Sequence, residues 1–248
     1  MQGRTWFKIT QKIGLATNQS RENNRWLYYL LKQVLDFAGS IVILTASIPL
    51  FILIAILIKL DSPGPVFFVQ KRIGARRTVV NGKTVWQRRL FNCYKFRSMV
   101  FNADPSLHRA YIKALIDNNV QEMSRLNEDF KVKKLQRDPR VTRVGWYLRR
   151  LSLDEIPQFI NVIKGEMSLV GPRPAIPYEV DMYKPWHLGR LNATPGVTGL
   201  WQVTGRSSAD FDEMVHLDIQ YIKQQSFWLD LNIIFKTMLV VFSRKGAV

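Results

Sequence analysis

The chain has 248 residues, nearly half of them hydrophobic, which is enough for one sizeable domain with attachments. Its 36 Lys/Arg against 19 Asp/Glu leave a net charge of +17, a balance that favours an anionic partner: nucleic acid, an anionic membrane surface or phosphate-rich substrates. Cys93 is the single cysteine, which excludes an intrachain disulfide, and three scattered histidines (His108, His187, His216) offer no metal-ligand spacing.

Residues 1–24 follow no recognised pattern and read as a flexible basic arm. From Phe37 to Ile58 run 22 residues without a charge, FAGSIVILTASIPLFILIAILI. A straight helix of that length would reach about 33 Å, enough to span a bilayer. The run starts too deep in the chain for a secretory signal and has no small-residue cleavage site behind it. Burial as a soluble core helix is the alternative. Pro49 sits near the middle, where it removes a backbone donor and forces a kink. Both flanks are basic: six Lys/Arg against two acids over residues 1–36, and ten against one over residues 59–100. A spanning helix would export one of these flanks against the positive-inside bias. A helix-break-helix hairpin that enters and leaves on one face satisfies both. A proline-kinked spanning helix remains the other arrangement the residues allow.

Asp61-Ser62-Pro63-Gly64-Pro65 ends the apolar run. Val66–Val69 reads as a short strand, and Leu90–Phe96 adds another. Thr78-Val79-Val80 and Lys83-Thr84-Val85-Trp86 around Asn81-Gly82 carry a type I′ hairpin signal. Helices are expected over 105–130, where Leu107, Tyr111, Leu115 and Ile116 recur at helical spacing, and over 152–163, 175–188 and 209–224. The apolar tail 227–242 fits a core helix or, preferably, a helix in the membrane interface.

Three stretches carry chemistry. In Arg149-Arg150-Leu151-Ser152-Leu153-Asp154-Glu155, the spacing of Ser152 and Glu155 is that of a capping box, which alone would explain them. The functional alternative is that adjacent carboxylates hold Mg²⁺ together with substrate phosphates, or that one attacks phosphorus. The arginines upstream can fork onto phosphate oxygens or be solvated surface charge. In Gly171-Pro172-Arg173-Pro174 two prolines restrict the direction of one arginine, as an anion site or a rigid turn requires. Residues 194–206, TPGVTGLWQVTGR, form a glycine-rich loop with little meaning alone.

Taken together, DPRVTRVGWYLRRLSLDEIPQFINVIKGEMSLVGPRP (138–174), PGVTGLWQVTGR (195–206), YKFRSM (94–99) and the Asp36-Phe37 entry to an apolar run broken by Pro49 resemble the bacterial polyprenyl-phosphate sugar-1-phosphate transferases. The resemblance covers roughly residues 25–245. It implies a mainly α protein with a small β-hairpin region: a basic arm (1–24), a membrane-inserted re-entrant helical hairpin (25–60) and a cytoplasmic catalytic domain (61–248) ending in an interfacial helix. It implies a monotopic enzyme of the bacterial inner membrane, with its site on the cytoplasmic face. Its substrates would be a nucleotide-sugar donor, UDP-linked by family habit, and a polyprenyl phosphate acceptor, with Mg²⁺ as cofactor. Asp154 would be the nucleophile, Glu155 with Asp154 the metal ligands, and Arg149, Arg173, Lys95, Arg97 and Arg206 the contacts to substrate. Membrane lipid is an expected partner, nucleic acid is not, and a homodimer is left open. One departure concerns the hairpin break: Ile48 precedes Pro49 where small members often place serine, and Ser47 lies one residue further back. The rival readings are a membrane-anchored nucleic-acid binder, which explains the charge but not the ordered motifs, and a catalytically silent membrane scaffold.

Overall fold

The apolar run folds as two helices, not one. In the computed structural model, which describes residues 25–80, 83–126, 138–204 and 210–243, α1 spans Trp26–Ala46 and α2 spans Ile48–Asp61. The junction is Ser47, whose N–H reaches the carbonyls of Ile43 and Leu44, and Pro49 occupies the first turn of α2, where its missing donor costs nothing. The Ser47 side chain makes no capping hydrogen bond, so the break rests on the proline. Of the two helices only α1 has the length and composition to cross a membrane, and little of it is buried.

Next comes one long hairpin: β1 (Phe67–Val80) and β2 (Lys83–Phe96) pair antiparallel from Phe67↔Phe96 to Val80↔Lys83. The short strands expected at 66–69 and 90–96 are therefore the ends of 14-residue strands whose other ends are the hairpin arms. The Asn81-Gly82 turn lies outside the described residues. Phe91 and Cys93 point into the core while Asn92 between them faces out, the alternation a half-buried strand needs.

The expected helix over 105–130, of which 127–130 lie outside the described residues, is two as far as it is described, α3 (Ser106–Ile116) and α4 (Val120–Leu126), separated where Asn118 takes a positive φ. A helix not anticipated, α5 (Arg143–Arg150), follows. The expected helix 152–163 is a 3-10 turn at Leu153–Glu155 and a short α6 (Gln158–Ile163), because Pro157 cannot donate to the turn before it. The expected helix 175–188 is reduced to α7 (Pro177–Asp181) and a 3-10 segment (Pro185–Leu191) for a similar reason, with a proline starting each. A second small sheet was also not anticipated: β3 (Ser168–Val170) runs parallel to β4 (Gly196–Thr198). After α8 (Leu200–Thr204), α9 (Phe211–Gln224) starts on Asp210, whose carboxylate accepts from the Glu213 N–H, and α10 (Phe227–Ser243) closes the described chain. The fold is thus mainly α with a small β region.

Both outer ends of the broken helix are tied to the same body. On α1, Asp36 accepts from the Leu169 N–H (2.8 Å) and Lys32 donates to the Val170 carbonyl (3.0 Å), so the helix grips β3. On α2, Ile54 and Ile58 pack with Phe96 of β2 and Leu148 of α5, and Asp61 accepts from the Val144 N–H (3.1 Å). Away from these contacts, Val42 on α1 and Ile52 on α2 are exposed, as are Trp228 and Phe235 on α10. The last helix therefore has two faces: Asp230 and Ile233 inward, large apolar side chains outward.

Candidate active site

The site is assembled where β2, the α5–α6 junction and the β3 and β4 ends meet. Helix α5 is set by a cap at Thr142, whose hydroxyl accepts from the Gly145 N–H (3.0 Å). A Cβ on Gly145 would lie 2.0 Å from the Ser98 carbonyl oxygen, so only glycine lets α5 press against the chain leaving β2. After α5 the chain reverses through Ser152, which adopts φ 56° in the left-handed region. That costs a non-glycine residue about 1–2 kcal/mol. Such strain concentrates at functional sites, and here it delivers Asp154 and Glu155 on the next turn. The capping box read from Ser152 and Glu155 is not formed: Ser152 makes no side-chain cap. Glu155 instead reaches across to β2 and pairs with Lys95 (2.6 Å), both side chains largely buried.

Lys95, Glu155 and Arg173 line one small cavity, together with Arg72, Gln158 and Gly196. Asp154, only 9% exposed, sits beside Glu155 on the 3-10 turn but does not line that cavity. Arg149 is in the last turn of α5, half-buried, and its charge helps to hold the Asp138 carboxyl low. Among the described residues no hydrogen bond or ion pair engages Arg173, which leaves its guanidinium available. Arg97 is placed differently. It is 4% exposed and donates to the carbonyls of Pro63 (2.7 Å), Ser62 (2.6 Å) and Ile58 (3.2 Å). Its guanidinium caps the end of α2, which ties that helix to β2. Arg206 lies outside the described residues.

Burial pushes the Cys93 thiol up, with Lys95 and Arg72 opposing, so this cavity-lining sulfur is not poised as a nucleophile. Among the described residues there is no group of three or more metal-ligating side chains. The donor set nevertheless suits Mg²⁺, which takes one or two carboxylates and completes its shell with water and substrate phosphates. Adjacent Asp154 and Glu155 supply two hard oxygen donors of that kind.

Sequence reasoning missed Arg72 and Gln158, both nearly fully buried in the cavity wall. Arg72 is one basic residue among ten over residues 59–100, and nothing local distinguishes it.

The pattern that defines the bacterial sugar transferases matches residues 27–244 of this sequence. The chain belongs to the bacterial sugar transferase family. Its relatives include an undecaprenyl-phosphate galactose phosphotransferase of Salmonella typhimurium, 40% identical over 235 residues that make up 95% of this chain and 44% of that protein. The exopolysaccharide production protein ExoY of Rhizobium meliloti is 39% identical over 88% of each chain. An undecaprenyl-phosphate glucose phosphotransferase of Komagataeibacter xylinus is 38% identical over 94% of this chain and 40% of its own. The chain thus spans less than half the length of the Salmonella and Komagataeibacter proteins and most of the Rhizobium one. The family match runs from α1 to the end of α10, so the broken helix and the cavity are both parts of the shared unit.

Proposed function

We propose that the chain transfers a sugar-1-phosphate from a UDP-sugar to a polyprenyl phosphate, the first step in building a cell-surface glycan, through a covalent phosphosugar-aspartate. The observation that carries this reading is the placement of Lys95, Glu155 and Arg173 around one cavity, with Asp154 on the turn beside it. Cations converging on a small polar cavity suit a diphosphate, and a neighbouring carboxylate supplies a nucleophile. The names of the relatives point the same way. In the first step an Asp154 carboxylate oxygen bonds to the sugar-linked phosphorus, and the bond from that phosphorus to the bridging oxygen breaks, releasing UMP. In the second step an oxygen of the lipid phosphate attacks the same phosphorus and the aspartate leaves. Arg173 and Arg149 orient and neutralise the phosphates, and Lys95 keeps Glu155 in place. Mg²⁺ held by Glu155 and Asp154 would offset the repulsion between a phosphate and an attacking anion.

We read the broken helix as a re-entrant hairpin at the inner face of the plasma membrane. On a straight helix Leu35 and Ile54 would lie about 28 Å apart. They pack in clusters that meet β2 at Phe91 and Phe96, about 17 Å apart at strand rise. A sharp bend reconciles the two distances and leaves both basic flanks on one side. The outward apolar side chains of α1, α2 and α10 are then lipid contacts.

The test is to incubate the full chain with Mg²⁺ and each of a panel of UDP-sugars, without acceptor. The expected result is stoichiometric UMP release with one sugar, and a phosphosugar mass adduct that maps to Asp154 and is absent from Asp154→Asn. Turnover with intersecting steady-state kinetics and no adduct would replace the covalent route by direct transfer, and nucleotide release retained by Asp154→Asn would remove Asp154 as nucleophile.

A further inference from the structure

Arg72 belongs to none of the sequence motifs, yet it is built into the wall of the cavity. It lies on β1, 7% exposed, with Nη1 donating to the Pro174 carbonyl (2.8 Å) and Nη2 to Gln70 Oε1 (2.6 Å). One residue further along the strand, the Ile73 N–H donates to the Ala175 carbonyl (2.8 Å). From the opposite side, the Gly196 N–H donates to the Pro172 carbonyl (2.8 Å), and the Gly171 N–H to Thr198 (2.9 Å). The four-residue loop Gly171–Pro174 is thus held between β1 and β4. Proline rings fix the backbone on either side of Arg173. Of these anchors on the loop, only the one at Pro174 is made by a side chain. The residue that makes it lines the same cavity as Arg173. Burial first lowers the Arg72 pKa, with Glu179 opposing and the like charge of Arg173 adding to the lowering. Keeping two guanidiniums and Lys95 on one cavity wall is unfavourable for the protein alone and favourable once a polyanion is bound.

We propose that Arg72 is a positioning residue for Arg173: by holding the Pro174 carbonyl it fixes where the Arg173 guanidinium meets the diphosphate of the donor. This rests on the cavity being the donor's phosphate site. It accounts for a buried arginine that spends its donors on a backbone carbonyl and a neighbouring amide and not on a carboxylate.

The test is a double-mutant cycle on the full-length chain with Mg²⁺, using UDP as the probe and calorimetry as the readout. Arg173→Gln should weaken UDP binding by about tenfold or more, the scale of a lost charge-assisted hydrogen bond. Arg72→Gln should weaken it by about three- to tenfold while Arg173 is present, a fraction of the same interaction. In the Arg173→Gln background the Arg72 change should have no further effect, because the residue it serves is gone. Thermal melts of all four proteins separate this coupling from loss of fold. If Arg72→Gln does not fold, Arg72→Lys, which keeps the charge but loses the planar fork that reaches Pro174 and Gln70 together, replaces it in the cycle. The same dependence on Arg173 is then required. A loss at Arg72 that persists undiminished without Arg173, or unchanged UDP affinity on substituting Arg72, overturns the proposal and leaves the cavity reading standing. Unchanged UDP affinity in Arg173→Gln overturns both.

Discussion

Replacing Lys32 by Met should be among the most damaging single changes on the two N-terminal helices. Lys32 is on α1, only 7% exposed, and its ammonium donates to Asp230 (2.8 Å), the Val170 carbonyl (3.0 Å) and the Tyr221 hydroxyl (3.3 Å). Asp230, 1% exposed, would be left as a buried carboxylate with the hydroxyls of Tyr221 (2.7 Å) and Tyr28 (3.0 Å) still donating to it. Removing one partner of a buried ion pair costs about 3–5 kcal/mol, and the two remaining phenols put this case near the lower end. About 3 kcal/mol in a chain of this size lowers Tm by roughly 6–12 °C. Lys32→Met/Asp230→Leu should lose less than Lys32→Met alone, since no unpaired charge stays buried. Thermal unfolding of the detergent-purified proteins, followed by circular dichroism, measures all three. A Lys32→Met protein that melts within 2 °C of the parent, or a double variant worse than the single one, would refute the assignment of Lys32 and Asp230 as a linked pair that ties α1 and α10 to β3.

A Cβ at position 196 would lie 2.0 Å from the Gly171 nitrogen, so Gly196→Ala must part β3 from β4; we expect a loss of about 3 kcal/mol or more with loss of UMP release, read by melting and turnover. Asp138→Asn removes a carboxylate bonded to the Arg140 side chain at 2.7 and 2.8 Å and should cost about 1.5–3 kcal/mol at neutral pH. Burial raises the Asp138 pKa, but the Arg140 hydrogen bonds outweigh it and hold it below the usual carboxylate range. A depressed folded-state pKa gives stability that is present above the unfolded value, about 4, and is lost as pH falls through the folded one, so the gap between parent and Asp138→Asn in urea titrations should close only in acid. Pro49→Ala should let α1 and α2 join into one straight helix, moving part of the population to a spanning form with lower activity; single-cysteine labelling of the N-terminal segment from outside, in a Cys93→Ser background, reads the shift.

What could be read from the sequence divides along the range of the interactions involved. The break at Pro49 and the turn-rich end at Asp61–Pro65 are local effects of proline and glycine, and the structure has both. Asp154 and Glu155 are singled out by the family resemblance of the motifs around them, because the local spacing alone is equally well explained by a capping box. Their setting could not be read. The capping box fits the spacing of Ser152 and Glu155, yet Glu155 pairs with Lys95, 60 residues away, and Ser152 is left-handed. Spacing along the chain cannot report a competition that a distant cation wins. The same limit hid the pairing of β3 with β4, three residues each, too short to show a period of two and brought together only by the close approach of Gly171 and Gly196. It also blurred the basic residues. Arg97 and Lys95 sit two apart on one motif and looked alike as phosphate contacts. The fold turns Lys95 to the cavity and buries Arg97 against the end of α2. Side chains two apart on an extended strand share a face, so alternation predicts a common fate. β2 ends at Phe96, and Arg97 is already past it, where its N–H bonds to Val66 and its side chain follows the turn into the α2 carbonyls. Charge at such a position says that a cation is needed; which oxygen it meets is decided by where the strand stops.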